Sequence, residues 1–153
     1  MILRDGKEMD VKVATTSYGG KETTRIIGWS GALVQAPYRA VLEQVRNAPE
    51  GVYVTYTLRG SPAYSSLARG IWIVEIQERK VNDLDSFLKA IREHEKEMKE
   101  KSDKDNDGYI RIKVINSNDV TDVVTMKLDP HYWGTWRLVE DKDATSGWKF
   151  VDI

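Results

Sequence analysis

The stretch "GVYVTYTLRGSPAYSSLARGIWIVEIQERKVNDLDSFLKAI", residues 51–91, decides the fold. Val52 to Leu58 alternates and is rich in β-branched and aromatic residues, and Ile71 to Gln77 has the same character, so both are predicted strands. Between them "RGSPAYSSLAR" (59–69) reads as a turn plus a small helical piece. "NDLDSFLKAIREHEKEMKEKS" (82–102) then gives the best helix of the sequence. Asn82 or Asp83 caps it, and Leu84, Phe87, Leu88 and Ile91 fall at i, i+3, i+4 and i+7 on one face. Beyond Ile91 only Met98 is apolar. The second half, with pairs such as Glu95 to Lys99 and Glu97 to Lys101, is therefore predicted to project into solvent.

Downstream, Tyr109 to Ile115 and Val120 to Leu128 flank the turn-rich "NSND" (116–119) and predict a hairpin. Upstream, "IIGWSGALVQ" (26–35) is an apolar run in which Gly28 and Gly31 predict a bend or the close approach of another backbone. "APYRAVLEQVRNAPEG" (36–51) predicts a short helix from about Pro37, with Ala40, Val41, Gln44 and Val45 on one face and an end at Asn47 and Pro49. The opening "MILRDGKEMDVKVATT" (1–16) is hairpin-like around Asp5-Gly6, and "SYGGKETTR" (17–25) is a loop or linker. The tail "DPHYWGTWRLVEDKDATSGWKFVDI" (129–153) is aromatic-rich, and Trp133, Trp136 or Trp148 is expected to anchor it on the domain body.

A chain of 153 residues can bury a core of its own. Its net charge of −1 argues against nucleic acid or an acidic membrane surface as the main partner. With no Cys, disulfides, thiolate zinc sites and a cysteine nucleophile are excluded together, and two His supply little for zinc. No apolar run reaches the roughly 18–20 residues of a membrane span. No cofactor is implied.

Two motifs carry chemistry weakly. In "SDKDNDGYIRIKV" (102–114), Asp103, Asp105 and Asp107 with Gly108 fit the first part of a calcium loop, but Val114 stands where the closing Glu belongs. A polar connection between helix and strand explains the same residues. "GWSGA" (28–32) is near a nucleophile elbow around Ser30, but it fails at Ala32, and His94 and His131 lie in a charged helix and in the tail. No catalytic residue is predicted.

Three stretches, in this order, resemble a PDZ domain of the HtrA-type serine proteases. "WSGALV" (29–34) resembles the carboxylate-binding loop written YIGV in such proteases. "GVYVTYTLRGSPAYSSLARG" (51–70) resembles "GVLV…V…GSPA…AGL…GD", and "IWIVEIQERKVNDLDSFLKAI" (71–91) resembles "DVILAINGxxVxxxxDLxxxL". The wording outside these pieces, "LRDGKEMDVKV" ahead and "VVTMKLDPHYW" behind, is similar to the C-terminal part of fungal nuclear HtrA-like proteases linked to apoptosis. Two departures stand out: Ile71 replaces the Asp of "GD", and "EHEKEMKEKSDKDND" (93–107) lengthens the stretch after the groove helix. The "GNSGG" serine motif is absent.

The resemblance implies an α+β fold, a PDZ-like small, partly open β-barrel or sandwich capped by two helices. Residues 1–20 form an N-terminal hairpin, either the end of a preceding PDZ module or strands completing this sheet; residues 21–128 form the PDZ domain and 129–153 the tail. A ligand carboxylate would sit on the backbone N–H groups of Ser30, Gly31 and Ala32. The ligand would pair as a strand with Leu33 and Val34, over a groove lined by Leu33, Leu84, Phe87, Leu88 and Ile91. The implied function is non-catalytic capture of hydrophobic C-termini or extended segments, regulating or targeting an attached serine protease. Partners are then peptide or protein C-termini or other domains of the same protease, with homo-oligomers open, and the location is nuclear, with a cytoplasmic alternative. The alternative reading is an assembly module whose groove is degenerate or filled by its own chain, for which Val151, Asp152 and Ile153 offer an apolar-x-apolar segment.

Overall fold

The computed structural model describes residues 2–12, 14, 22–100 and 108–153. In chain order the elements are β1 (Ile2–Arg4), β2 (Lys7–Met9), β3 (Arg25–Trp29), β4 (Ala32–Gln35), α1 (Arg39–Leu42), β5 (Val52–Thr57) and α2 (Pro62–Ser66). There follow β6 (Ile71–Ile76), β7 (Arg79–Lys80), α3 (Leu84–Glu100), β8 (Tyr109–Ile115), β9 (Thr121–Lys127), β10 (Trp136–Glu140) and β11 (Trp148–Asp152).

One antiparallel sheet runs in the order β11-β10-β3-β4-β5-β6-β8-β9, with β7 on β6. It is an open, PDZ-like α+β sheet, not a closed barrel, and three short helices accompany it. Alternation fixes its faces: in β8, Ile110, Ile112 and Val114 are buried while Tyr109 and Arg111 are exposed. The buried sides of β3 to β6 and β8 share a single core with the α3 stripe of Leu84, Phe87, Leu88 and Ile91. The tail contributes strands to this sheet, β10 pairing with β3 from Trp136↔Gly28 to Val139↔Arg25. By contrast β1 and β2 pair with each other in a separate two-stranded sheet, and every residue of both is exposed.

Two helices depart from the sequence reading. The helix expected from Pro37 to Asn47 forms only the single turn Arg39–Leu42, because Tyr38 offers no side-chain cap and Val41 alone is buried to hold it. The second half of α3 does not simply project into solvent. His94 is 5 % exposed, with Nδ1 3.5 Å from Gln77 Nε2, and Arg79 of β7 ties Glu93 (2.9 Å) and Glu97 back to the sheet. The turn after β6 supplies this cover, and Lys101, the expected partner of Glu97, lies outside the described residues.

The start of α3 is set by a reciprocal cap. Ser86 N–H donates to Asp83 Oδ1 at 2.7 Å, and Asp83 N–H donates to Ser86 Oγ at 3.0 Å. The Ser86 backbone bond, followed by its hydroxyl, holds the Asp83 carboxyl below the ordinary Asp value. A lowered folded-state pKa means that the ionised cap stabilises above the unfolded-state value and loses this as pH falls through the folded-state value. Asp83→Ala is expected to cost about 1 kcal/mol at neutral pH. Urea midpoints of the two proteins should converge as pH drops below the ordinary Asp pKa of about 3.9.

Candidate functional site

Ser30 and Gly31 form the two-residue turn that joins β3 to β4, with Trp29 opposite Ala32. Their φ values of 49° and 82° are both positive, the backbone of a tight hairpin turn that matches strand twist. The turn is held from outside by the "GSPA" segment. Leu58 N–H donates to the Gly31 carbonyl at 2.8 Å and Ala63 N–H donates to the Ser30 carbonyl at 3.1 Å. Ser61 caps α2 by accepting from Tyr64 N–H at 3.1 Å, and its side chain rests against Gly31. A Cβ at position 31 would overlap Ser61 and come within 3.1 Å of Trp133. Ser30, 3 % exposed, therefore sits in a strand-to-strand hairpin, not at the strand-to-helix elbow a nucleophile needs.

β4 has two edges. One pairs with β5 and the other, on the α3 side, with β3. β3 thus runs antiparallel to β4, and its side chains pack beside α3. Trp29 meets Phe87 edge to face at 5.5 Å, Ile27 is fully buried in the same core, and Arg25 pairs with Asp85 at 2.7 Å near the start of α3. The energies are unequal. The Arg25–Asp85 pair is largely exposed and contributes about 0–1 kcal/mol. Burying an aromatic or branched side chain such as Ile27 contributes about 1.5–3 kcal/mol, so apolar contact holds β3 in place.

The sequence-derived carboxylate-binding and groove candidates lie on β4, the turn before it and α3. Ser30, Gly31 and Ala32 make the turn, and Ala32 is fully buried. Val34, Leu84, Phe87, Leu88 and Ile91 are buried on the α3 side, all in contact within one core. Leu33 lies on the opposite face, paired with Gly28. The two ends of β3 are flanked by clefts. One of 460 Å³ is lined by Trp29, Ser30, Met98, Leu128, Trp133 and Ile153, and one of 370 Å³ includes Arg25, Leu84 and Glu140. Of the apolar-x-apolar segment, Val151 and Asp152 pair with β10 in β11, while Ile153 lines the cleft beside Trp29 and Ser30.

Sequence reasoning did not foresee β10 or the separate identity of β3. Gly28 links them: a side chain there would overlap the Trp136 indole, which lies over β3. The signals were present in "SG" between two apolar runs and in "WRLVE" and "WKFVD" flanking a polar turn. The candidate calcium ligands Asp103, Asp105 and Asp107 lie outside the described residues. Among the described residues no cluster of acids or His could hold a metal, and no helix is long and apolar enough to cross a membrane. Gly31→Ala is expected to lose about 2–4 kcal/mol in urea melts, from left-handed strain plus overpacking against Ser61. Gly31→Ala combined with Ser61→Gly should recover the packing part.

No protein-family model matches the chain. It is 38 % identical over 151 residues to "Protease Do-like 7" of Arabidopsis thaliana, covering 97 % of the chain and 13 % of that protein. It is 33 % identical over 153 residues to "Pro-apoptotic serine protease NMA111" of Coccidioides immitis, covering 99 % of the chain and 14 % of the relative. A "PDZ domain-containing protein" of Schizosaccharomyces pombe is 35 % identical over 151 residues, at 98 % and 14 %. The chain thus spans about one seventh of the length of these relatives. With a PDZ-like α+β fold and homology along nearly all of its length to one segment of such proteins, it belongs with the PDZ regions of HtrA-like serine proteases.

Proposed function

We propose that this chain is a non-catalytic interaction module of an HtrA-like serine protease in which the groove's added strand is supplied by the module's own β3. Its role is then architectural: it positions or regulates the attached protease through its outer surfaces. The observation that carries this reading is β3 itself, antiparallel on the groove edge of β4 with Trp29 against Phe87. A tethered strand has an effective concentration of about millimolar or more, so a micromolar peptide competes at a disadvantage of roughly a thousandfold. The two-residue turn makes the tether as short as a hairpin allows. The nuclear, pro-apoptotic setting that the resemblance carries belongs to the same proposal.

A second reading is favoured by the PDZ relationship and by the cleft beside the turn. In it, hydrophobic C-termini dock at Ser30, Gly31 and Ala32 and lie over Leu33, Val34, Leu84, Phe87, Leu88 and Ile91 once β3 has been displaced.

An NMR titration with apolar-ended peptides, each as free carboxylate and as amide, separates the two. The expected result is that amide signals of residues 32–34 and 84–91 stay in place at micromolar peptide. Shifts there that require the free carboxylate would overturn the self-filled groove and establish peptide capture.

A further inference from the structure

The sheet has a second face, turned away from α3, and register shows what it carries. Tyr56, Leu33, Gly28 and Trp136 lie side by side across β5, β4, β3 and β10. In the next row Gln35, Ile26, Leu138 and Phe150 do the same across β4, β3, β10 and β11. Gly28 allows the Trp136 indole to lie over β3, and Trp136 continues into Phe150 at 5.7 Å with rings tilted by 32°. None of these side chains belongs to the hydrophobic core. Phe150 is 60 % exposed and Tyr56 44 %. A contiguous aromatic and aliphatic surface on an open sheet marks a site of contact.

The β1–β2 hairpin indicates what covers it. Ile2 and Met9 face each other across the two strands, and Ile2, Leu3, Met9 and Val11 are exposed. A two-stranded hairpin is marginal in water without a further strand or helix to pack on. Residues 10–24 join it to β3 and span at most about 50 Å when fully extended. Whatever body completes the hairpin is therefore tethered at the start of β3, beside β10 and β11. The relatives align with the hairpin and the sheet together, and this segment is 13–14 % of their length. Over such a tether a neighbour is present at about millimolar effective concentration, enough for a modest apolar contact to persist.

We infer that the face formed by Ile26, Leu33, Tyr56, Trp136, Leu138 and Phe150 docks a neighbouring module of the same polypeptide, the one whose sheet the β1–β2 hairpin completes. The contact is apolar, made by the uncovered rows of β3, β10 and β11. Leu33 is the one residue it shares with the peptide reading, and labelling at positions 56 and 150 is read independently of the peptide titration.

The chain contains no Cys, so within it single cysteines report on the face directly, and in the full-length polypeptide labelling at positions 56, 118 and 150 is read by peptide mapping. Phe150→Cys and Tyr56→Cys probe it at two separated points, so either can stand alone should the other fail to fold, and Asn118→Cys, in the turn between β8 and β9, is the control. Maleimide labelling is measured in the isolated chain and in the full-length polypeptide. Positions 150 and 56 are expected to label at least tenfold more slowly in the full-length polypeptide, with position 118 unchanged. Equal rates at 150 and 56 in the two settings would overturn the inference. So would protection that rises with the concentration of the isolated chain, which would assign the face to a second copy.

Discussion

The edge of β4 beside the apolar stripe of α3 cannot be left bare. Its N–H and C=O groups need partners, and the side chains of Leu84, Phe87, Leu88 and Ile91 need apolar cover. In a PDZ domain awaiting its ligand that demand is met from outside. Here Ile27, Trp29 and the β3 backbone lie against that edge and stripe, which is the basis for the proposed self-filled groove. The turn at Ser30–Gly31 must be tight because β3 and β4 are adjacent in both sequence and space. The "GSPA" segment must then buttress the turn, and Gly31 must be glycine because Ser61 presses on it.

Filling one edge creates another. With β3 paired on β4, its own outer edge would be exposed, and unpaired edges invite aggregation. The tail resolves this by laying β10 against β3 and β11 against β10, with Gly28 as the notch that seats Trp136. The aromatic tail is therefore an integral part of the sheet, continuing it beyond β3. Local hairpins build both additions, β3 to β4 and β10 to β11, while the β10–β3 ladder joins residues more than a hundred positions apart and must form later.

Much of the central fold was legible in residues 51–128. Period-two alternation marked β5 and β8, the β-branched and aromatic run marked β6, the NSND turn marked β9, and the i, i+3, i+4, i+7 stripe marked α3. The turn and the stripe from which the site is proposed were legible, but the strand that pairs with β4 was not. The WSGA turn, the α3 stripe and their proximity could be read, yet nothing local says whether the strand beside β4 arrives from another molecule or from the five preceding residues. The tail hid for a related reason. Trp136–Glu140 and Trp148–Asp152 are short, half-buried and charged, and their strand character depends on β3 being there to pair with. His94 was misplaced because the cover over α3 comes from Gln77 and Arg79, in a turn whose position is set by tertiary packing.

The directions of β3, β10 and β11 also decide how this module bears load. β3 and β11 point the same way, with β10 running against both between them. Tension entering at Arg25 and leaving at Asp152 would drag these strands lengthwise past one another, so their hydrogen bonds would be strained together instead of opening one after another. The pairing of β3, β10 and β11 would thus act as a mechanical clamp under such a load. In a long chain of linked domains, such a segment would behave as a stiff spacer and transmit a pull while its core stays folded.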